Sequence, residues 1–151
     1  TFDKEYDELS GRLYFRETHL PEMLRLARCR LPVSVETLLM VDSLDMTDAD
    51  RAAIVARCRG CDEARIVVPH GTDTMAETAR ALVAARLPKT VVLTGAMIPY
   101  AFGSSDGLFN LGSALSFAQA MPAGVYVAMN GRCFRGDRVR KDKGTGIFEE
   151  G

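Results

Sequence analysis

Histidine is scarce in this chain of 151 residues, with two copies (His19 and His70) beside four cysteines, Cys29, Cys58, Cys61 and Cys133. Cys58-Arg59-Gly60-Cys61 has the C-x-x-C spacing of redox and zinc sites, but no second such pair accompanies it. A zinc centre therefore lacks half its ligands, and reduced structural thiols are expected. Long apolar runs are missing too. None approaches the ~18 residues of a membrane span, and the candidates Ile66-Val67-Val68 and Val91-Val92-Leu93 are strand-sized. An excess of one charge sign is also lacking: 19 Lys and Arg face 20 Asp and Glu, for a net charge of −1. Nucleic-acid binders usually carry a basic stripe, so the balance argues against a polyanionic partner. There is no internal repeat, low-complexity segment or linker. The chain opens at Thr1 without a methionine, which leaves a cytoplasmic location as an expectation without a leader sequence to test it.

What is present is a soluble globular composition, 47% hydrophobic and 26% charged, enough for one domain over residues 1–151. Leu38 to Asp42 reads as a short buried strand. Thr47 then caps a helix, with Asp50 in capping-box position. Ala53, Ile54 and Ala56 supply that helix's apolar side, and Gly60 suits a left-handed end. Ala64 to Pro69 is a second strand, and Thr74 to Glu77 repeats the capping-box pattern before a helix that stops short of Pro88. Thr90 to Thr94 is a third strand, Gly95 to Gly107 a loop, Leu108 to Ala120 a helix, and Ala123 to Met129 a fourth strand. The remainder reads as a charged, irregular tail. Phe2 to Arg16 reads as a mobile loop and Thr18 to Arg30 as helical.

Alternating strands and helices at this spacing predict an α/β fold, an open and mainly parallel sheet flanked by helices in three layers. Continuous rather than alternating apolar runs fit strands covered on both faces. Ligands of such sheets sit beyond the carboxyl ends of the strands. Four segments meet there: Asp42 to Asp45, His70 to Thr74, Gly95 to Met97, and Asn130-Gly131.

His70-Gly71-Thr72-Asp73-Thr74 follows a strand and opens a helix, so its backbone N–H groups suit an anion or a developing oxyanion. Gly71 admits close approach of a ligand. Thr72 offers a hydroxyl and Asp73 a carboxylate, although both types also serve as plain helix caps. In the tail, Arg132, Arg135, Arg138, Arg140, Lys141 and Lys143 form a basic cluster. Most of these belong to a solvated loop. One lysine in a desolvated place would act as proton acceptor for a hydroxyl, and residue types alone do not select which.

His70 to Ala79, Lys89 to Pro99, Ser105 to Leu111 and Gly124 to Asn130, in that order and spacing, resemble the bacterial-type L-asparaginases. Asp42-Ser43-Leu44-Asp45-Met46 fits upstream, so the likeness runs over residues 35–145. The resemblance implies an amidohydrolase that converts asparagine to aspartate and ammonia through a threonine nucleophile and an acyl-enzyme, without metal or organic cofactor. It places the catalytic unit on Thr72, Asp73 and Lys141. Substrate contacts fall on Ser43, which takes the α-carboxylate, and on Thr72, Asp73 and the backbone of Gly71 and Ala96. A tyrosine on a closing N-terminal loop falls on Tyr14, with Tyr6 as competitor.

Two departures qualify the likeness. The family's Thr-Gly-Gly-Thr turn, which ends its first strand and whose first threonine is usually named as the primary nucleophile, is not found, and the expectation is that this strand precedes Thr1. Leu44 stands where the family has a glutamine, so one hydrogen bond to substrate is lost. The resemblance also implies a short form limited to the N-terminal catalytic domain, closed by a homodimer or homotetramer contact. Two alternatives stay open: a related ω-amidase, glutaminase or transamidation component, and a non-catalytic domain that binds asparagine or aspartate.

Overall fold

Val91, Val92 and Leu93 are completely buried in the computed structural model, which describes residues 2–151. They lie in β4 (Thr90–Thr94), which pairs in parallel with β3 (Arg65–Pro69) on one side and β5 (Gly124–Met129) on the other. Val91 and Leu93 pack with Met75, Ala79 and Leu82 of α3 (Met75–Ala84) and with Ile54 and Cys58 of α2 (Asp48–Gly60). Val92 packs with the other layer, against Ala114 and Ala118 of α4 (Gly107–Ala120). Successive side chains of one strand thus serve opposite helical layers, which is why the strands read as unbroken apolar runs. The three-layer α/β class is as expected.

The tail is not irregular. Asn130 and Gly131 turn the chain with φ of 54° and 77°. This is the tight hairpin turn that needs positive φ at both central residues. It sets β6 (Arg132–Arg135) antiparallel beside β5, completing the order β3-β4-β5-β6. Beyond it, β7 (Val139–Lys141) and β8 (Phe148–Glu150) form a separate antiparallel pair. Phe134, Val139 and Phe148 are buried with Val127 and Met129, so a few apolar residues among many charges anchor the whole segment. The N-terminal stretch is likewise structured. β1 (Lys4–Asp7) and β2 (Arg12–Phe15) form an antiparallel hairpin, followed by α1 (Leu20–Leu26). Phe2, buried with Met23, Ala96 and Leu111, fixes its root.

Other local expectations need correction. The capping box of Thr47 and Asp50 forms, but that of Thr74 does not. The Thr74 hydroxyl donates instead to the Ser43 carbonyl at 2.8 Å, and Glu77 pairs with Arg51 at 2.9 Å. Gly60 ends α2 without positive φ, because Cys61 leaves the helix in extended conformation. The face that α2 buries carries Arg51, Ile54 and Cys58, while Ala56 is exposed. Leu38 to Asp42 forms no strand, since no neighbour among the described residues offers it a hydrogen-bonding edge. Residues 38–41 instead help to line a cleft of about 630 Å³, together with Ile66, Val67 and Val68 of the edge strand β3. These β3 residues are only half-buried, unlike their counterparts in β4. Among the described residues no helix is long and apolar enough to cross a membrane.

Candidate active site

The loop from β3 to α3 carries Thr72 and Asp73, and β7 brings Lys141 to them from 68 or 69 residues away. The Lys141 ammonium donates to the Thr72 hydroxyl at 2.8 Å and to the Asp73 carboxylate at 2.7 Å. Thr72 is buried, the Lys141 side chain is 11% exposed and that of Asp73 46%. A hydroxyl is thereby joined through one lysine to a carboxylate, with the carboxylate facing solvent. In this arrangement a deprotonated lysine is within reach of the hydroxyl proton, and the carboxylate holds the lysine in place.

Around this unit lies a cleft of about 420 Å³, lined by Ser43, Gly71, Thr72, Asp73, Ala96 and Lys141, and also by Lys4 and Leu13 from the hairpin. Ser43 is 2% exposed, and its hydroxyl has no hydrogen-bond partner among the described residues. A Cβ on Gly71 would lie 2.4 Å from the Ser43 hydroxyl oxygen and 2.5 Å from its Cβ. Glycine is therefore required here by the close approach of Ser43, where the sequence alone suggests a ligand. Thr74 holds the Ser43 carbonyl, so Ser43 is pinned from both sides. Burial alone would raise the Asp42 carboxyl. The Lys4 ammonium and the Leu44 N–H bonded to it outweigh that and hold it below the ordinary carboxylate value.

His70 stabilises the same loop from beneath. The Gly71 carbonyl can only accept, so the His70 Nδ1 at 2.7 Å carries the proton, and Nε2 accepts from the Thr78 hydroxyl at 2.8 Å. Burial pushes this imidazole below its usual value, which keeps it neutral. The buried Asn110 of α4 donates to the Gly95 carbonyl at 2.9 Å and accepts from the Asn130 N–H at 3.0 Å. Asp106 accepts from the N–H groups of Met97 and Ile98. Together they clasp the Ala96 segment between the ends of β4 and β5. Asp106 and Asn110 fall within the sequence motifs, which assign neither a role. A buried asparagine one helical turn after an aspartate is the signal that could have found them.

Tyr14 and Tyr6 are not brought to the cleft. Tyr14 donates to Glu5 at 2.9 Å on the hairpin's outer side and is 40% exposed, and Tyr6 is 55% exposed. Cys58 and Cys61 are free thiols, the latter 3.4 Å from the Lys89 ammonium. Among the described residues no group of three His, Cys, Asp or Glu is placed to hold a metal ion.

Fold and site together define a three-layer α/β protein with a cleft at the carboxyl ends of its parallel strands. The family described as Asparaginase, N-terminal, matches residues 4–147. L-asparaginase 1 of Escherichia coli strain K12 is 37% identical over 150 residues, covering 96% of this chain and 44% of its own. A component of the glutamyl-tRNA(Gln) amidotransferase of Aeropyrum pernix is 40% identical over 138 residues, covering 82% of this chain and 31% of its own. The crystal structure of L-asparaginase I from Vibrio cholerae superposes with a TM-score of 0.83 at 31% identity, over 99% of this chain and 48% of that one. The chain belongs to the asparaginase family, and it spans less than half the length of these relatives.

Proposed function

We propose that this chain is the catalytic domain of an amidohydrolase that converts L-asparagine to L-aspartate and ammonia. The observation that carries the reading is the bonded unit Thr72–Lys141–Asp73 at the floor of the cleft. A threonine hydroxyl attacks the side-chain amide carbon and passes its proton to lysine. The amide nitrogen takes a proton and leaves as ammonia, and water then cleaves the ester to release aspartate. Thr72 is the threonine that the described residues supply, with Lys141 as its base and Asp73 orienting the lysine and receiving the substrate ammonium. Ser43 takes the α-carboxylate, and the backbone of Gly71 and Ala96 lies along the substrate. Tyr14 reaches the substrate in this reading only if the hairpin moves.

A further parallel strand, ending in the family's Thr-Gly-Gly-Thr turn, belongs to the same reading. The apolar cleft beside β3 is the place for it, and Phe2 and Gly71 both line that cleft. A homodimer or homotetramer contact closes the site, and exposed Phe102, Phe109 and Ile147 provide apolar surface for one. A cytoplasmic location completes the proposal.

The test is ammonia release from L-asparagine by purified protein. Thr72→Val and Lys141→Met should each reduce it by at least about 100-fold with the fold intact by circular dichroism. Retained activity in both variants rejects this assignment of the catalytic unit. The likeness to an amidotransferase component favours a second reading, in which the amide donor is another ω-amide, and glutamine belongs in the same assay.

A further inference from the structure

We propose that Lys4 binds the α-carboxylate of the substrate together with Ser43, and so selects amides of amino acids over simple amides. This deepens the amidohydrolase reading and rests on it. Two lysines line the catalytic cleft, Lys4 and Lys141. Lys141 is committed to Thr72 and Asp73. Lys4 has three N–H donors, of which Asp42 takes one. Ser43 follows Asp42 directly, and its buried hydroxyl has no partner among the described residues, a costly state that a ligand oxygen relieves. The neighbouring Leu44 is 70% exposed and has no polar side-chain atom to offer a carboxylate.

The charges in the cleft reinforce the assignment. The Asp73 carboxylate lines the cleft beside Lys141, and the Lys4 ammonium, anchored on Asp42, lines the same cleft. That pattern matches a zwitterion, with the ammonium at the half-exposed Asp73 and the carboxylate at Lys4 and Ser43. Lys4 belongs to β1, and Leu13 of the paired strand lines the same cleft. A carboxylate held by Lys4 therefore also ties the hairpin to the body of the domain, and the hairpin reports on whether the substrate carries that group.

Three amides separate the contributions: L-asparagine, succinamic acid, which keeps the carboxylate without the amine, and 3-aminopropanamide, which keeps the amine without the carboxylate. In Lys4→Met, KM for asparagine and succinamic acid should rise at least tenfold while kcat changes far less. The ratio of kcat/KM for asparagine to that for 3-aminopropanamide should fall by the same factor, and Lys4→Arg should restore most of it. Equilibrium binding of L-aspartate, followed by NMR, should weaken tenfold in parallel. An unmoved ratio in a protein that deamidates asparagine overturns the role of Lys4 and leaves the amidohydrolase reading intact. If no amide is hydrolysed but L-aspartate binds and Lys4→Met weakens it, the Lys4 assignment stands and the enzymatic reading falls. Equal binding of aspartate by wild type and Lys4→Met, or no binding by either, overturns it.

Discussion

Gly71 shows how little room the site leaves at single residues. A methyl group there would meet Ser43 at 2.4–2.5 Å, with the Ser43 backbone nitrogen at 3.3 Å. Gly71→Ala should therefore displace Ser43 and lower both stability and activity. If the side-chain clash is the cause, adding Ser43→Gly should recover most of the melting temperature, because the nearest remaining contact is tight but tolerable. It should not recover KM for asparagine, since the proposed ligand of the substrate carboxylate is gone. Equal melting temperatures for single and double variants would place the cost elsewhere. At this scale the sequence is legible only in part. Thr72 and Asp73 are of types that also cap helices, and Lys141 is one of six basic residues between Arg132 and Lys143. Ordered motifs single out these three, where their local chemistry does not. The reason for Gly71 is hidden because Ser43 approaches from 28 residues earlier in sequence.

Elements hold these residues in place, and two contacts show how. Asn110 ties α4 to the loops after β4 and β5, and it is fully buried. Asn110→Ala leaves the Gly95 carbonyl and the Asn130 N–H without partners, at about 1–3 kcal/mol each. Chemical denaturation should show a loss of about 3 kcal/mol on that basis, and kcat should fall as the Ala96 segment loosens. A variant as stable as wild type would show that water or a neighbour replaces the amide. His70 does the same for the β3–α3 loop, with Arg51 and Glu77 nearby among the charged groups that act on it. Its folded-state value lies below the ordinary 6.5, so the unfolded chain takes up a proton before the folded one does. Stability should thus decline as pH falls below about 6.5, until His70 itself protonates in the folded state. His70→Gln should shrink the difference in denaturation midpoint between mildly alkaline and mildly acidic buffer, about pH 7.5 and 5.5, and an undiminished difference would assign it to other groups. Strands β3, β4 and β5 are readable in the sequence as short unbroken apolar runs, and helices α2, α3 and α4 as the longer segments between or before them, although the caps and buried faces are read less well. The tail misleads because charge dominates it, although Asn130-Gly131 after an apolar strand is itself a hairpin signal.

The sheet's outer parallel strand, β3, faces a cleft of about 630 Å³ that we propose receives a further strand. A parallel sheet is ordinarily covered at its faces and continued or protected at its edges. Leu38 to Asp42 has the composition of a buried strand but pairs with no strand among the described residues. Periodicity could not reveal this, because pairing depends on residues from elsewhere in space. Seating a strand of about six residues would bury about four aliphatic side chains at roughly 1.5–3 kcal/mol each. Ordering it would cost about 1–2 kcal/mol per residue, so the two nearly cancel before new backbone hydrogen bonds are counted. A free apolar peptide should then bind weakly. The same strand joined ahead of Thr1 avoids the cost of association and should seat firmly. In the joined form, amide hydrogen exchange at the outward-facing groups of β3 and at residues 38–41 should slow by at least about 100-fold, and the unfolding midpoint should rise. Unaltered exchange at both segments would mean that the cleft does not receive a strand, and that the sheet ends at β3.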